Sequence, residues 1–335
     1  MRAFNSLLLL VFLLIGLSGC AQRPAPEEPA PEVIEEAEEP VEITEPGPEA
    51  QLLQEPIRFY LDIAYAGTNN PRQRLDILVP DEPNYVPMPA VIYLHSGDWR
   101  SGNKSEAQQA MMALLHRGDY AVIAVGYRLT DESIWPAQLH DVKAAIRWVR
   151  ARADDYGIDP QRLALWGDGA GGHLALMAGV TNQAQDMAGN LGAYTHIRSD
   201  VLAVVNEGGV TDINALLSQS SEIDRASATA PEAGLVGGLL RENVDIASAA
   251  SPVHYVRETT PPVLSVYRME DTMVPHQQGP LLHGRLDDAE QEHYLLTVIG
   301  DDNEAKRTEV KERIYAFLDR ILLGRNLRVN PAVID

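Results

Sequence analysis

The stretch RLALWGDGAGGHLALMAGV, residues 162–180, constrains the fold more tightly than any other part of the chain. Arg162 to Trp166 is a short apolar run of strand character, and His173 to Val180 is apolar at helical period. Between them, Gly167, Gly169, Gly171 and Gly172 leave almost no side chain at the turn. A strand that passes through a glycine-rich turn straight into a buried helix is one half of a β-α-β unit, and such units build parallel sheets.

The same alternation recurs along the chain. Apolar runs predict strands at 59–65, 75–79, 90–95, 120–125, 163–166, 201–206, 262–267 and 294–299. Helical periodicity marks 106–117, 137–156, 171–180, 276–289 and 304–322, clearest where Leu139, Val142, Ala145, Ile146 and Val149 share one stripe. The expected fold is α/β, a mostly parallel eight-stranded sheet with helices on both faces. Sites in such sheets form at the carboxyl ends of the strands. Residues 213–251, rich in Ala, Ser and Gly, break the alternation and are expected to form a small cap insertion. The folded domain is placed at 57–325, followed by a short tail at 326–335.

The first 56 residues are of another kind. Arg2 and the short apolar run Leu7–Leu17 precede Leu17-Ser18-Gly19-Cys20, and Cys20 is the single cysteine. The run is too short to span a bilayer comfortably and has the layout of a cleaved leader. It resembles a bacterial lipoprotein signal, which implies removal of residues 1–19 and lipidation of Cys20. The implied partner is membrane lipid and the implied location the cell envelope, with Ala21 pointing to the outer membrane in a Gram-negative host. Residues 20–56 are mostly Pro, Glu and Ala with Arg23 the sole base, a composition for a charged, stiff tether. This segment supplies much of the net charge of −21, and no basic stripe suits nucleic acid.

YLHSGDW, VGYRL, WPAQLHDVKAAIRWVRARADDYGIDPQRLALWG, GAGGHLA, SPVHYV and DTMVP follow one another over residues 74–322. In this order they resemble the α/β-hydrolase superfamily, in the acetylxylan/feruloyl-esterase-like (BD-FAE-like) branch near the hormone-sensitive-lipase group. The resemblance implies an esterase with a Ser-His-acid triad and an oxyanion hole. It also says where each part should fall. The nucleophile position in G-x-S-x-G is Gly169, which cannot form an acyl intermediate. The base position, after the last helix-preceding strand, is at or near Asn303, which takes no proton at neutral pH. The acid is retained as Asp271. The oxyanion loop reads His95-Ser96-Gly97-Asp98-Trp99, so the hole would be made by Gly97, Asp98 and Ala170. A carboxylate at Asp98 opposes an oxyanion by about 4 kcal/mol at 4 Å and an effective dielectric of 20.

Two functional readings stay open on the sequence. One is a pseudo-hydrolase that binds a small acylated ligand or scaffolds an envelope protein. The other is a working carboxylesterase with relocated catalysts, for which Ser96 is the displaced nucleophile and His95, His276 or a cap residue the base. Asp168 occupies the x position of the turn and is read as structural, as are His140 and His173. His293 begins the last strand, roughly 20 Å from the active edge at about 3.3 Å per residue, and is excluded as base. No His/Asp/Glu spacing suggests a metal, and no cofactor is expected.

Overall fold

The computed structural model describes residues 56–81 and 86–335; the leader at 1–19, Cys20 and the tether up to residue 55 lie outside the described residues. Leu53–Asp335 is one unit. Its strands are β1 (Ile57–Ala64), β2 (Arg74–Pro80), β3 (Met88–Leu94), β4 (Ala121–Val125), β5 (Ile158–Asp168), β6 (Ala203–Glu207), β7 (Val263–Arg268), β8 (His293–Val298) and β9 (Ala332–Ile334). The helices are α1 (Glu106–Leu115), α2 (Ala137–Arg152), α3 (Ala170–Val180), α4 (Pro231–Val236), α5 (Val244–Ala249), α6 (Gln278–Asp288) and α7 (Glu304–Leu322).

All nine strands form one sheet in the order β1-β2-β4-β3-β5-β6-β7-β8-β9. The pairs β1/β2 and β2/β4 are antiparallel, and every pair from β4/β3 to β8/β9 is parallel. The sheet therefore has nine strands rather than the eight expected. The extra one lies in the stretch read as a tail, where Ala332–Ile334 pairs with β8. Three residues at an edge carry too little periodicity to show as a strand in sequence.

Side chains alternate across the sheet with period two. Ile77, Ile92, Leu94, Ile123 and Leu165 point toward α2, α3 and α6, while Val91, Tyr93, Val122, Ala164 and Trp166 point toward α1 and α7. Helices cover both faces, so the central strands are apolar on both sides and read as continuous runs.

The chain moves from β3 outward to β4, then crosses back over β3 to β5 and continues in the opposite direction. That reversal opens a crevice between the carboxyl ends of β3 and β5, the place where α/β sheets carry their sites. The insertion between β6 and β7 holds α4, α5 and short 3-10 turns, and it reaches across this end of the sheet. Arg100 Nη1, beyond β3, donates to Thr229 O at 2.9 Å; Trp135 N, beyond β4, donates to Leu235 O at 2.8 Å. Glu222 N donates to Thr272 O at 3.1 Å, and Arg225, buried with Glu232, donates to Met273 O beyond β7. The expected cap is thus laced to three loops of the carboxyl edge.

A buried carboxylate ties the segment before β2 and the loop after β4 to α2. Asp141 in α2 is fully buried and accepts from Arg128 Nε, Nη2 and N and from Gln73 Nε2, all at 2.8–3.1 Å. Arg128 is partly exposed, so removing Asp141 costs about 2–3 kcal/mol, the worth of charge-assisted hydrogen bonds, rather than the larger penalty of a fully buried pair. Asp141→Ala should lower the thermal midpoint by roughly 6 °C or more, measured by differential scanning calorimetry. A shift under about 2 °C would show that the pair contributes little.

Candidate active site

The turn after β5 has the backbone of a nucleophile elbow. Gly169 sits at φ +49° and ψ −113°, a region that costs a residue with a side chain about 1–3 kcal/mol and glycine little. Its amide donates to Glu207 O at 2.8 Å, which ties the elbow to β6. The other glycines of the turn are required for space. A Cβ on Gly171 would collide with the carbonyls of Leu94 and His95 at the end of β3, and one on Gly172 would come within 2.5 Å of Asn206 Oδ1. Gly169 differs, because a Cβ there would meet only the Ser96 side chain, with Oγ at 2.5 Å. The structure thus brings Ser96 and Gly169 face to face across the β3/β5 crevice.

The loop after β3 is held in an unusual conformation. Gly97, Asp98 and Trp99 have φ of +107°, +55° and +59°, and the last two bear side chains. Such strain persists where surrounding contacts over-determine it. Trp99 supplies the anchor: it is 2 % exposed, and its Nε1–H donates to His173 Nδ1 at 3.1 Å. With Nδ1 accepting, the His173 proton is on Nε2, which donates to Ala250 O in the insertion at 2.7 Å. Burial pushes His173 down to about 4, so it stays neutral and joins the loop, α3 and the cap. His95 stacks on Tyr127 at 4.2 Å and donates from Nδ1 to Ser96 O at 2.7 Å. It therefore meets the carbonyl of Ser96, away from the hydroxyl. The amides of Gly97, Asp98 and Ala170 make none of the turn or loop hydrogen bonds among the described residues.

The remaining sequence candidates are occupied elsewhere. Asn303 is the N-cap of α7, its Oδ1 accepting from Lys306 N at 3.1 Å. Asp271 closes its own turn, accepting from Met273 N and Val274 N at 2.7 and 2.9 Å. His293 starts β8 at the far end of the sheet and is held by His283 Nδ1 at 2.8 Å and Asp287 Oδ1 at 3.0 Å. All nine histidines lie among the described residues, and none hydrogen-bonds Ser96 Oγ or Asp271. Asp98 turns toward solvent, with Arg100 Nη2 at 3.5 Å.

Sequence reasoning missed Glu207. It lies beside Asp168 in the β5/β6 register, half-buried, and accepts from Trp166 Nε1 at 2.7 Å. Burial raises its carboxyl. Protein crowding, although the side chain still reaches solvent, and then the charge of Glu207 push Asp168 up to about 6. The signal was the Asn-Glu-Gly-Gly run at 206–209, which ends β6 at the site edge. Among the described residues no group of three His, Cys, Asp or Glu side chains is arranged to hold a metal.

This fold and crevice define an esterase-type α/β-hydrolase domain. The chain belongs to the BD-FAE family, whose profile matches residues 75–286. It is similar to a truncated carbohydrate esterase from gut microbiota, with 30 % identity and a TM-score of 0.72 over 79 % of this chain and 96 % of that one. It is also similar to the esterase LipC of Mycobacterium tuberculosis, 26 % identical over 63 % of this chain and 51 % of LipC, and to esterase LipQ of the same organism, 30 % identical over 60 % and 46 %. The chain thus spans about half the length of these curated relatives.

His173 gives the site a pH signature. Its folded value near 4 lies below the unfolded 6.5, so the unfolded chain binds more protons between these values. The stability this neutral imidazole contributes is full above pH 6.5 and is lost as pH falls toward 4. Urea unfolding at pH 7 and 4.5 should show wild type losing about 2–3 kcal/mol more than His173→Gln. Other titrating groups, such as Asp168 and His283, are common to both proteins and cancel. Equal losses would contradict the assignment.

Proposed function

We propose that this chain is a non-catalytic member of its esterase family, a pseudo-hydrolase that binds an acylated ligand in the β3/β5 crevice. The observation that carries this reading is Gly169, in elbow geometry with no side chain, while no histidine hydrogen-bonds the Ser96 hydroxyl or the Asp271 carboxylate. Nucleophile and general base are both missing, and their joint loss in a serine hydrolase lowers turnover by about 10⁶-fold. What persists is the rest of the cradle: the strained loop at 97–99, its amides, and Trp99 and His173 beneath. Binding surfaces of this type need no particular side chain at the elbow.

Turnover of p-nitrophenyl acetate and of a feruloyl ester by the purified protein is expected to stay at least about 10⁴-fold below the ~10 s⁻¹ typical of enzymes. The rival reading, an active carboxylesterase with Ser96 as nucleophile, is favoured by the hydroxyl at the elbow and by relatives named as esterases. It predicts turnover that Ser96→Ala abolishes, and that outcome would overturn the non-catalytic reading.

The Leu-Ser-Gly-Cys run supports anchoring through Cys20, with the acidic segment as a spacer that keeps the domain off the envelope membrane. No helix among the described residues is long and apolar enough to cross a membrane. Metabolic labelling with an alkynyl fatty acid in a bacterial host should tag the wild-type chain, and Cys20→Ser should abolish the tag and release the protein from the membrane fraction. A labelled or membrane-retained Cys20→Ser protein would count against the anchor.

A further inference from the structure

In the esterase-like branch that the chain resembles, the oxyanion loop at 95–99 reads H-G-G-G-W and the elbow at 167–171 reads G-x-S-x-G, so glycine is expected at position 96 and serine at position 169. This chain has the reverse, Ser96 and Gly169. The two substitutions look unrelated in sequence, 73 positions apart, yet they meet: Ser96 Oγ lies 2.5 Å from where a Cβ on residue 169 would stand. The site thus carries a hydroxyl beside the elbow, attached to the oxyanion loop instead of to residue 169. Among the described residues this hydroxyl makes no hydrogen bond, although Ser96 is half-buried and the Ser96 carbonyl is held by His95.

Building on the non-catalytic reading above, we propose that Ser96 is the specificity-determining residue of the crevice, donating a hydrogen bond to the carbonyl oxygen of an intact, neutral acyl ester. Gly169 is the vacancy that lets this hydroxyl stand there. A carbonyl above the elbow meets the Ser96 hydroxyl together with the unused amides of Gly97, Asp98 and Ala170. Neutral ligands are selected over free acids because Asp168 and Glu207 stand side by side at the carboxyl ends of β5 and β6, with the outward-turned Asp98 on the neighbouring loop. Arg100 and Arg268 offset that charge only in part: Arg100 reaches Asp98 at 3.5 Å and Arg268 reaches Asp302 at 3.7 Å. A free carboxylate would add another negative charge to this group and lose affinity for that reason.

The experiment is isothermal titration of the full protein with methyl ferulate and with ferulate, alongside Ser96→Ala, Gly169→Ala and the double variant. Thermal midpoints confirm that each variant is folded. Wild type is expected to bind methyl ferulate at least tenfold more tightly than ferulate. Ser96→Ala should weaken ester binding three- to tenfold, the worth of one hydrogen bond. Gly169→Ala should weaken it as well, by displacing the hydroxyl, and the double variant should bind no worse than Ser96→Ala alone. Equal ester affinities in wild type and Ser96→Ala would overturn the role of Ser96 and leave the pocket standing. Ferulate binding as well as its ester would overturn the neutral-ligand assignment. Absence of any wild-type binding would overturn the pocket reading itself. Intact-mass analysis after exposure to a p-nitrophenyl phosphonate ester should show no adduct, and an adduct on Ser96 would make it a nucleophile.

Discussion

The arrangement depends on how closely α3 approaches the end of β3. Gly171 is pressed against the Leu94 and His95 carbonyls, so the first turn of α3 and the loop after β3 share one wall of the crevice. Any side chain at residue 171 would push α3 away from the sheet. The loop could then no longer fold back with three successive positive φ angles, and Trp99 would lose His173. The parallel pairing of β3 with β5 sets the register of this approach, with Tyr93 opposite Trp166 and Leu94 opposite Gly167.

On the non-catalytic reading proposed above, the geometry around that wall is retained without the catalytic side chains. An elbow residue with a side chain carries backbone strain that catalysis justifies, and glycine at φ +49° removes it. Asn303 is an ordinary helix cap, and its hydrogen bond from Lys306 N contributes about 1 kcal/mol of the usual kind. Asp271 satisfies two amides of its own turn. Asn303 and Asp271, two positions where the resemblance expects catalysts, thus have local structural roles, as the non-catalytic reading requires. Positions 171 and 172 have no room for a side chain, so packing alone requires glycine there.

Much of this was legible in the sequence for a simple reason. Strands buried on both faces are continuous apolar runs, and α2 shows its period because one face meets the sheet. The motifs between residues 74 and 322 set the order of the loops, and with it the positions of Gly169, Asp271 and the oxyanion loop. Other features were hidden because they are contacts between distant segments. Nothing near residue 96 announces that its hydroxyl faces residue 169, since the β3/β5 pairing makes that contact. Glu207 was missed because its importance comes from standing beside Asp168 across two strands. The ninth strand was missed because Ala332–Ile334 is a strand only by virtue of β8. The roles of Trp99 and His173 as a shared anchor needed the cap carbonyl of Ala250, 77 residues beyond His173.

Whether the crevice holds an ester without cleaving it is decided most directly by a crystal structure of the protein soaked with methyl ferulate. The expected density is an intact ester over Gly169, its carbonyl oxygen within hydrogen-bonding distance of Ser96 Oγ and the Ala170 amide. Density for ferulic acid, for an acyl group joined to Ser96, or for a collapsed crevice filled by Asp98 would contradict a binding site that has given up catalysis.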